Sequence, residues 1–438
     1  MALKKTRALT HSFVSLFCLS LLVTGAHFEG DAIHRISPDQ QLHLRGNLDI
    51  GLASNDTISP SAFAPWSYEP ACTSKVGQID SELCVYTDRH FSNGRGISIF
   101  TTPEIAEGFA TVLASLQHPS SVLDTLGINS FTGAWYTHPV PRKGIGMLAK
   151  RDIQSGDTIT AYTPVLLAYK ERFLSKAQRE KFLRLAVTQL PGPSRESYLK
   201  LATLSNDSSI LAQDIASANS FETRLGEQKG AAEATVPHLT IIPESSRMNH
   251  DCAPNAIFHV NSSTLTHVVR AVRPIPKDQE ITIAYTSPLD PRATRQKYLS
   301  DAFHFTCTCP RCLRGADADA DAVLAEMAVL QRTLSAWSDP SSDASVKHAE
   351  HLIRLHREEG LDGYLDPAYC YAALMYSAVG SARGARKYAE LAIKAIELRL
   401  GAGAPDLPAW RDMLDNPTKH WSWMVRKGGG KVVTATNE

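Results

Sequence analysis

The stretch R-M-N-H-D-C-A-P-N, Arg247–Asn255, decides how the rest of the chain is read. It sets an imidazole, a thiol and two amides close together along the chain. A cysteine nucleophile needs a neighbouring base and an orienting amide, so a Cys/His hydrolase built on Cys252 is one reading. The other makes Cys252 a metal ligand, and the positions of the remaining cysteines bear on the choice. F-H-F-T-C-T-C-P-R-C, Phe303–Cys312, supplies Cys307, Cys309 and Cys312 as C-x-C-x-x-C. A disulfide within C-x-C is strained, whereas three thiolates in one tight turn suit tetrahedral zinc once a fourth ligand arrives. Cys370 lies inside a helical pattern, which makes Cys252 the leading candidate for that ligand.

Working outward, the hydrophobic period changes several times. From Ala134, the runs A-W-Y-T-H-P-V-P, G-I-G-M-L-A-K-R-D-I and D-T-I-T-A-Y-T-P-V-L-L-A-Y read as strands bounded by Gly, Pro or Asp. Strands resume with H-L-T-I-I-P, A-I-F-H-V, T-H-V-V-R-A-V-R-P-I and E-I-T-I-A-Y. Between them, over about residues 171–235, the pattern predicts one helix opened by Ser175 and stopped at Pro191, then another opened near Ser194. That interruption is too long for a plain loop. Residues 27–133 read as an N-terminal extension or subdomain, with a short strand in N-G-R-G-I-S-I-F-T-T and a helix begun near Pro103. Residues 314–425 carry apolar positions at helical spacing, with a last pair like a tetratricopeptide (TPR) hairpin. No repeat period of quality is visible, so a bundle is preferred. The stretch 426–438 reads as a disordered tail. The expected class is α+β: a β-rich domain with a helical insertion, followed by an α-helical domain.

Four motifs in series resemble those of the SET-domain protein methyltransferases. R-M-N-H-D-C-A-P-N is similar to their N-H-x-C-x-P-N motif, with aspartate where serine is common. G-I-G-M-L-A-K-R-D-I-Q-S-G-D-T-I is similar to their opening G-x-G strand, E-I-T-I-A-Y to their closing E-x-x-x-x-Y, and F-T-C-T-C-P-R-C to the post-SET zinc cluster, here 303–313. The resemblance covers about Ala134 to Leu313, with the SET domain proper at 134–286. It is strongest to the SET-and-MYND subgroup and related fungal-type SET proteins. No MYND finger is visible, because no cysteine stands between Cys84 and Cys252.

The resemblance implies a SET fold with a knot-like crossing and transfer of a methyl group from S-adenosylmethionine to a lysine amine of a protein substrate. It implies that the backbone of Lys143, Gly144, Ile145, Gly146 and Met147 holds the methionine part of the cofactor, with the glycines allowing close approach. Asn249 and His250 would bind its ammonium and adenine ends, and Phe305 would stack on the adenine. Tyr285 would be the catalytic residue, orienting the amine beside the methyl group. Cys252, Cys307, Cys309 and Cys312 would hold a structural zinc ion, which leaves no free nucleophile at Cys252. A second G-x-G, Gly94–Gly96, competes for the cofactor role, but its place upstream of a helix favours a turn. Two other readings stay open: a non-catalytic SET scaffold that binds peptides through its groove and helical surface, and the Cys/His hydrolase.

Lysine plus arginine equals aspartate plus glutamate at 45 each, so no global field recruits nucleic acid or an anionic membrane. Lys4, Lys5 and Arg7, the apolar run Phe13–Val23 and small residues at Thr24-Gly25-Ala26 read as a secretory signal peptide over 1–26, a run too short for a stable membrane span. That reading sends the protein to the secretory pathway or outside the cell; cytoplasm or nucleus is the alternative. Sequons at Asn55, Asn206 and Asn261 are compatible with secretion, and Cys72 and Cys84 are then the natural disulfide pair.

Overall fold

The computed structural model describes residues 63–116, 122–205, 207–227, 235–314 and 321–427. The expected signal peptide, the sequons at Asn55 and Asn206, and the tail from 428 onward lie outside the described residues. Chain order begins β1 (Ala71–Cys72), β2 (Cys84–Asp88), β3 (Ile97–Thr101), α1 (Pro103–Leu116), β4 (Trp135–Val140), β5 (Gly144–Ala149), β6 (Thr158–Tyr162) and β7 (Leu166–Tyr169). Three helices follow, α2 (Lys176–Gln189), α3 (Gly192–Leu199) and α4 (Leu211–Asn219), then β8 (Phe221–Glu227) and β9 (Thr235–Ile241). The centre of the chain holds β10 (Asn249–His250), β11 (Ala256–Asn261), β12 (Thr266–Ala271) and β13 (Glu280–Ile283). The remainder is helical: α5 (Arg292–Phe303), α6 (Ala322–Ser335), α7 (Val346–Glu358), α8 (Asp366–Ala378), α9 (Ala382–Leu400) and α10 (Leu407–Asp415). The class is α+β, as expected. No helix among the described residues is long and apolar enough to cross a membrane.

Three sheets organise the β-rich part, in the orders β1-β2-β3-β7-β9-β8, β10-β13-β5-β4 and β11-β12-β6. The first has helices on both faces, which explains why β2 and β3 are buried at every position. Ile97 and Ile99 pack with Ile105, Phe109 and Leu113 of α1, while Val85 and Phe100 pack with Phe182 and Leu183 of α2. Because β3 runs parallel to β7, the segment read as an N-terminal extension shares a sheet with the strands flanking the helical insertion. The run D-T-I-T-A-Y-T-P-V-L-L-A-Y divides at Thr163-Pro164, and its halves enter different sheets as β6 and β7.

The insertion is helical only as far as Asn219. Ser175 caps α2 through a capping box with Gln178, as its sequence predicts, and α3 opens at Gly192 behind Pro191, two residues before Ser194. From Phe221 the chain is a strand, β8, which corrects the helical reading of 171–235. Its sequence F-E-T-R-L-G-E carries charged residues at an outer edge of the sheet, so its alternation is too short to read as a strand in isolation. Downstream, α8 and α9 form a close antiparallel pair. A side chain at Gly384 would collide with the Tyr376 ring, its Cβ falling 2.1 Å from Cδ1, so glycine permits that approach.

Candidate active site and metal centre

The four-stranded sheet brings the predicted residues together from three distant segments. β5 lies between β4 and β13, and β10 runs parallel on the far side of β13, with His250 opposite Ile283. β13 pairs only with Met147 and Leu148 of β5, whereas β4 pairs along all of β5. Gly144–Gly146 therefore runs past the end of β13 with one edge unpaired by it. Gly144 has φ +78°, and Ile145 is 44% exposed. Met147, by contrast, is fully buried in the core and paired on both sides, so its contribution there is to anchor the edge. A Cβ at Gly146 would lie 2.9 Å from Asn249 Nδ2 and 3.0 Å from Glu280 Oε1, so glycine is what lets these strands meet.

Glu280 is the residue that the sequence reading left without a role. Its Oε1 accepts from Asn249 Nδ2 at 2.8 Å, and its Oε2 pairs with Lys143 Nζ at 2.7 Å. Its signal in the sequence is the first letter of E-I-T-I-A-Y. At the other end of the motif, Tyr285 donates its backbone N–H to His250 Nδ1 at 3.0 Å and its hydroxyl to the Met248 carbonyl at 2.6 Å. The Tyr285 ring lies 4.9 Å from Phe303 and 5.5 Å from His250, and Phe305 stands 6.1 Å from the same imidazole.

His250 links this edge to the cysteines. Since its Nδ1 accepts from Tyr285, the proton sits on Nε2, which faces Cys252 Sγ at 3.2 Å. Burial holds the imidazole neutral, its pKa pushed down to about 4. Cys252 is completely buried, and the ring beside it points an N–H at sulfur where a general base would offer a lone pair. That overturns the Cys/His hydrolase reading.

The sulfurs of Cys252, Cys307, Cys309 and Cys312 all lie within 4.8 Å of one another, and Cys252 and Cys312 are 3.5 Å apart. Zinc–sulfur bonds of about 2.3 Å in a tetrahedron put sulfurs about 3.8 Å apart, so a tetrahedral metal fits the quartet. Hydrogen bonds from the neighbouring thiols favour the thiolate at Cys309 and Cys312, with Arg295 adding to the effect at Cys312. Four thiolates around a dication leave excess negative charge, which the Arg295 guanidinium offsets. The guanidinium of Arg295 is buried against Cys252 and Cys312, and its Nε has no other partner among the described residues. Arg311 donates to the carbonyls of Cys252 (3.0 Å) and Pro288 (2.6 Å) and pairs with Glu359 at 2.7 Å. Arg273 reaches from the Ala253 carbonyl (2.6 Å) to Asp362 (3.2 Å). The sequence reading missed all three arginines, because each acts through the tertiary fold. Cys370 is buried in α8, within the helical core. The Gly94–Gly96 turn packs on Pro191, and its Arg95 forms a two-pronged pair with Glu244.

Comparison with known proteins agrees with this geometry. A SET-domain family model matches residues 144–286. The chain is 28% identical over 287 residues to histone-lysine N-methyltransferase set5 of Schizosaccharomyces pombe, a match covering 64% of this chain and 84% of that protein. It is 44% identical over 72 residues to SET domain-containing protein SmydA-8 of Drosophila melanogaster, and 38% over 90 residues to histone-lysine N-methyltransferase SMYD3 of Mus musculus. Those two matches span 16% and 20% of this chain, and only 15% and 20% of the relatives. The family model and the paired strands β5, β10 and β13 thus agree on a SET domain over residues 144–286.

Proposed function

We propose that the protein is a lysine methyltransferase that moves a methyl group from S-adenosylmethionine to the side-chain amine of a lysine in a protein substrate. The observation that carries this reading is the convergence of Gly146, Asn249, His250 and Tyr285 around the end of β13. The names of the relatives, two of them histone-lysine methyltransferases, support the same reaction. When bound, the cofactor supplies an electrophilic methyl carbon on a sulfonium.

The chain's own groups supply the rest. The exposed edge at Gly144–Gly146 offers peptide groups to the amino-acid end of the cofactor, and the amide of Asn249 and carboxylate of Glu280 offer a donor and an acceptor beside it. Phe305 offers a ring face for the adenine. Only about one lysine in a thousand carries its lone pair at neutral pH. Apolar walls from Phe303 and Tyr285 disfavour the charged ammonium and so raise that fraction. The hydroxyl of Tyr285, steered by its bond to the Met248 carbonyl, presents its oxygen lone pairs to the amine. The cysteine quartet, with zinc as the metal this donor set favours, is structural in this reading because four thiolates fill the coordination shell.

Labelled-methyl transfer to lysine in protein substrates tests the proposal. Tyr285→Phe should lower the turnover rate by roughly 100-fold or more while leaving cofactor binding within a few-fold of wild type. Absence of S-adenosylmethionine binding in titration calorimetry would overturn it. Peptide binding that survives with no transfer in the unaltered protein would favour the scaffold reading instead.

A further inference from the structure

Seven cysteines fall among the described residues, and their exposure is selective. Cys252, Cys307, Cys309, Cys312 and Cys370 are free and buried. Cys72, the exposed one, is bonded to Cys84 across the β1–β2 pair. No free thiol thus faces solvent among the described residues, and the sulfurs that could be oxidised are enclosed around a metal-sized centre. Exposed cysteine persists as a disulfide among oxidants, whereas a reducing cytosol would return Cys72 and Cys84 to thiols.

A second feature points to the same compartment independently. Asn261-Ser262-Ser263 is a glycosylation sequon at the tip of the β11–β12 hairpin, and all three residues are exposed. Asn261 Oδ1 accepts from Ser263 Oγ at 2.7 Å and from Ser263 N at 3.1 Å, while Nδ2 has no hydrogen-bond partner among the described residues. The side chain that must carry a bulky sugar therefore points where a sugar has room, and its nucleophilic atom is not part of the fold.

We propose that the chain matures in an oxidising secretory compartment and carries an N-linked glycan on Asn261. In that step the donor is a lipid-pyrophosphate-linked oligosaccharide. Asn261 Nδ2 forms a bond to the anomeric carbon and loses one proton, the carbon–oxygen bond to pyrophosphate breaks, and the lipid pyrophosphate leaves. The inference goes beyond methyl transfer and does not rest on it.

The test is peptide mapping of the full chain purified from its source, after removal of N-glycans in heavy-oxygen water. The Asn261 peptide should carry the isotopic mark, and alkylation before reduction should leave Cys72 and Cys84 unlabelled. In a eukaryotic host expressing the full chain without an added leader, Asn261→Gln and Ser263→Ala should each remove one glycosidase-sensitive gel step, and Ser262→Ala should keep it. An unmodified Asn261 peptide in the source protein, or labelled Cys72 and Cys84, would overturn the proposal.

Discussion

Asn249, Lys143 and Gly146 meet at one carboxylate, Glu280, and the tightness of that meeting makes the site sensitive to a single methyl group. A Cβ on residue 146 would fall 2.6 Å from Val140 Cγ2 as well as 2.9 Å from the Asn249 amide, both closer than van der Waals contact allows. Since Val140 lies on the partner strand β4, the amide is the freer group to move. Gly146→Ala is therefore expected to weaken S-adenosylmethionine binding at least about ten-fold in titration calorimetry, with a small change in melting temperature. At this scale the sequence was informative where chemistry and spacing coincide. Tyr285, His250 and the four cysteines are named through the resemblance of their motifs to the SET series, and the fold brings the four sulfurs within 4.8 Å of one another. Glu280 and Arg295 are not, because a carboxylate in a strand and an arginine in a helix are ordinary until β5, β13 and α5 are brought together.

Among the elements, the cysteine quartet joins the turn after β10 to the segment that follows α5. Cys252 comes from the first, and Cys307, Cys309 and Cys312 from the second. Only two residue pairs connect β10 to its neighbour β13, so the ladder alone holds Asn249 and His250 weakly. Metal at the quartet would fix them from the other side, through the His250–Cys252 contact. Cys309→Ala should reduce bound zinc from about one equivalent to none by metal analysis, and cofactor binding should fall with it even where the helical region keeps its circular dichroism. Element prediction succeeded where the period was long, as in α2 with its Ser175 cap and in α9. It failed at β8 and at the division between β6 and β7. Sheet membership there is decided by partners far along the chain, and a run of alternating residues has no means of stating which partner it will meet.

Across the whole molecule, three buried imidazoles away from the cysteine quartet weaken the fold in acid, in addition to His250. Burial lowers the pKa of His238 and His356 to about 4 and of His267 to about 3, from the 6.5 of an exposed ring. Below pH 6.5 the unfolded chain takes up protons that these folded rings refuse, so their contribution is full above that value and drains as pH falls toward 4. Each costs about 1.4 kcal/mol per pH unit in that window. Melting temperature should therefore drop steeply between about pH 6.5 and about pH 4.5, and His238→Gln should flatten the slope by about one proton. The arginines around the quartet have a different consequence. Arg311 and Arg273 each hold a carbonyl of the Cys252-Ala253 turn with one end and a residue of the 359–362 loop with the other. They tie the SET half to the helical half at one piece of backbone, beside the packing of Gly363 against Ile257 and Val272. Heat should melt the wild-type chain in a single cooperative peak, and replacing both arginines by methionine should separate it into two.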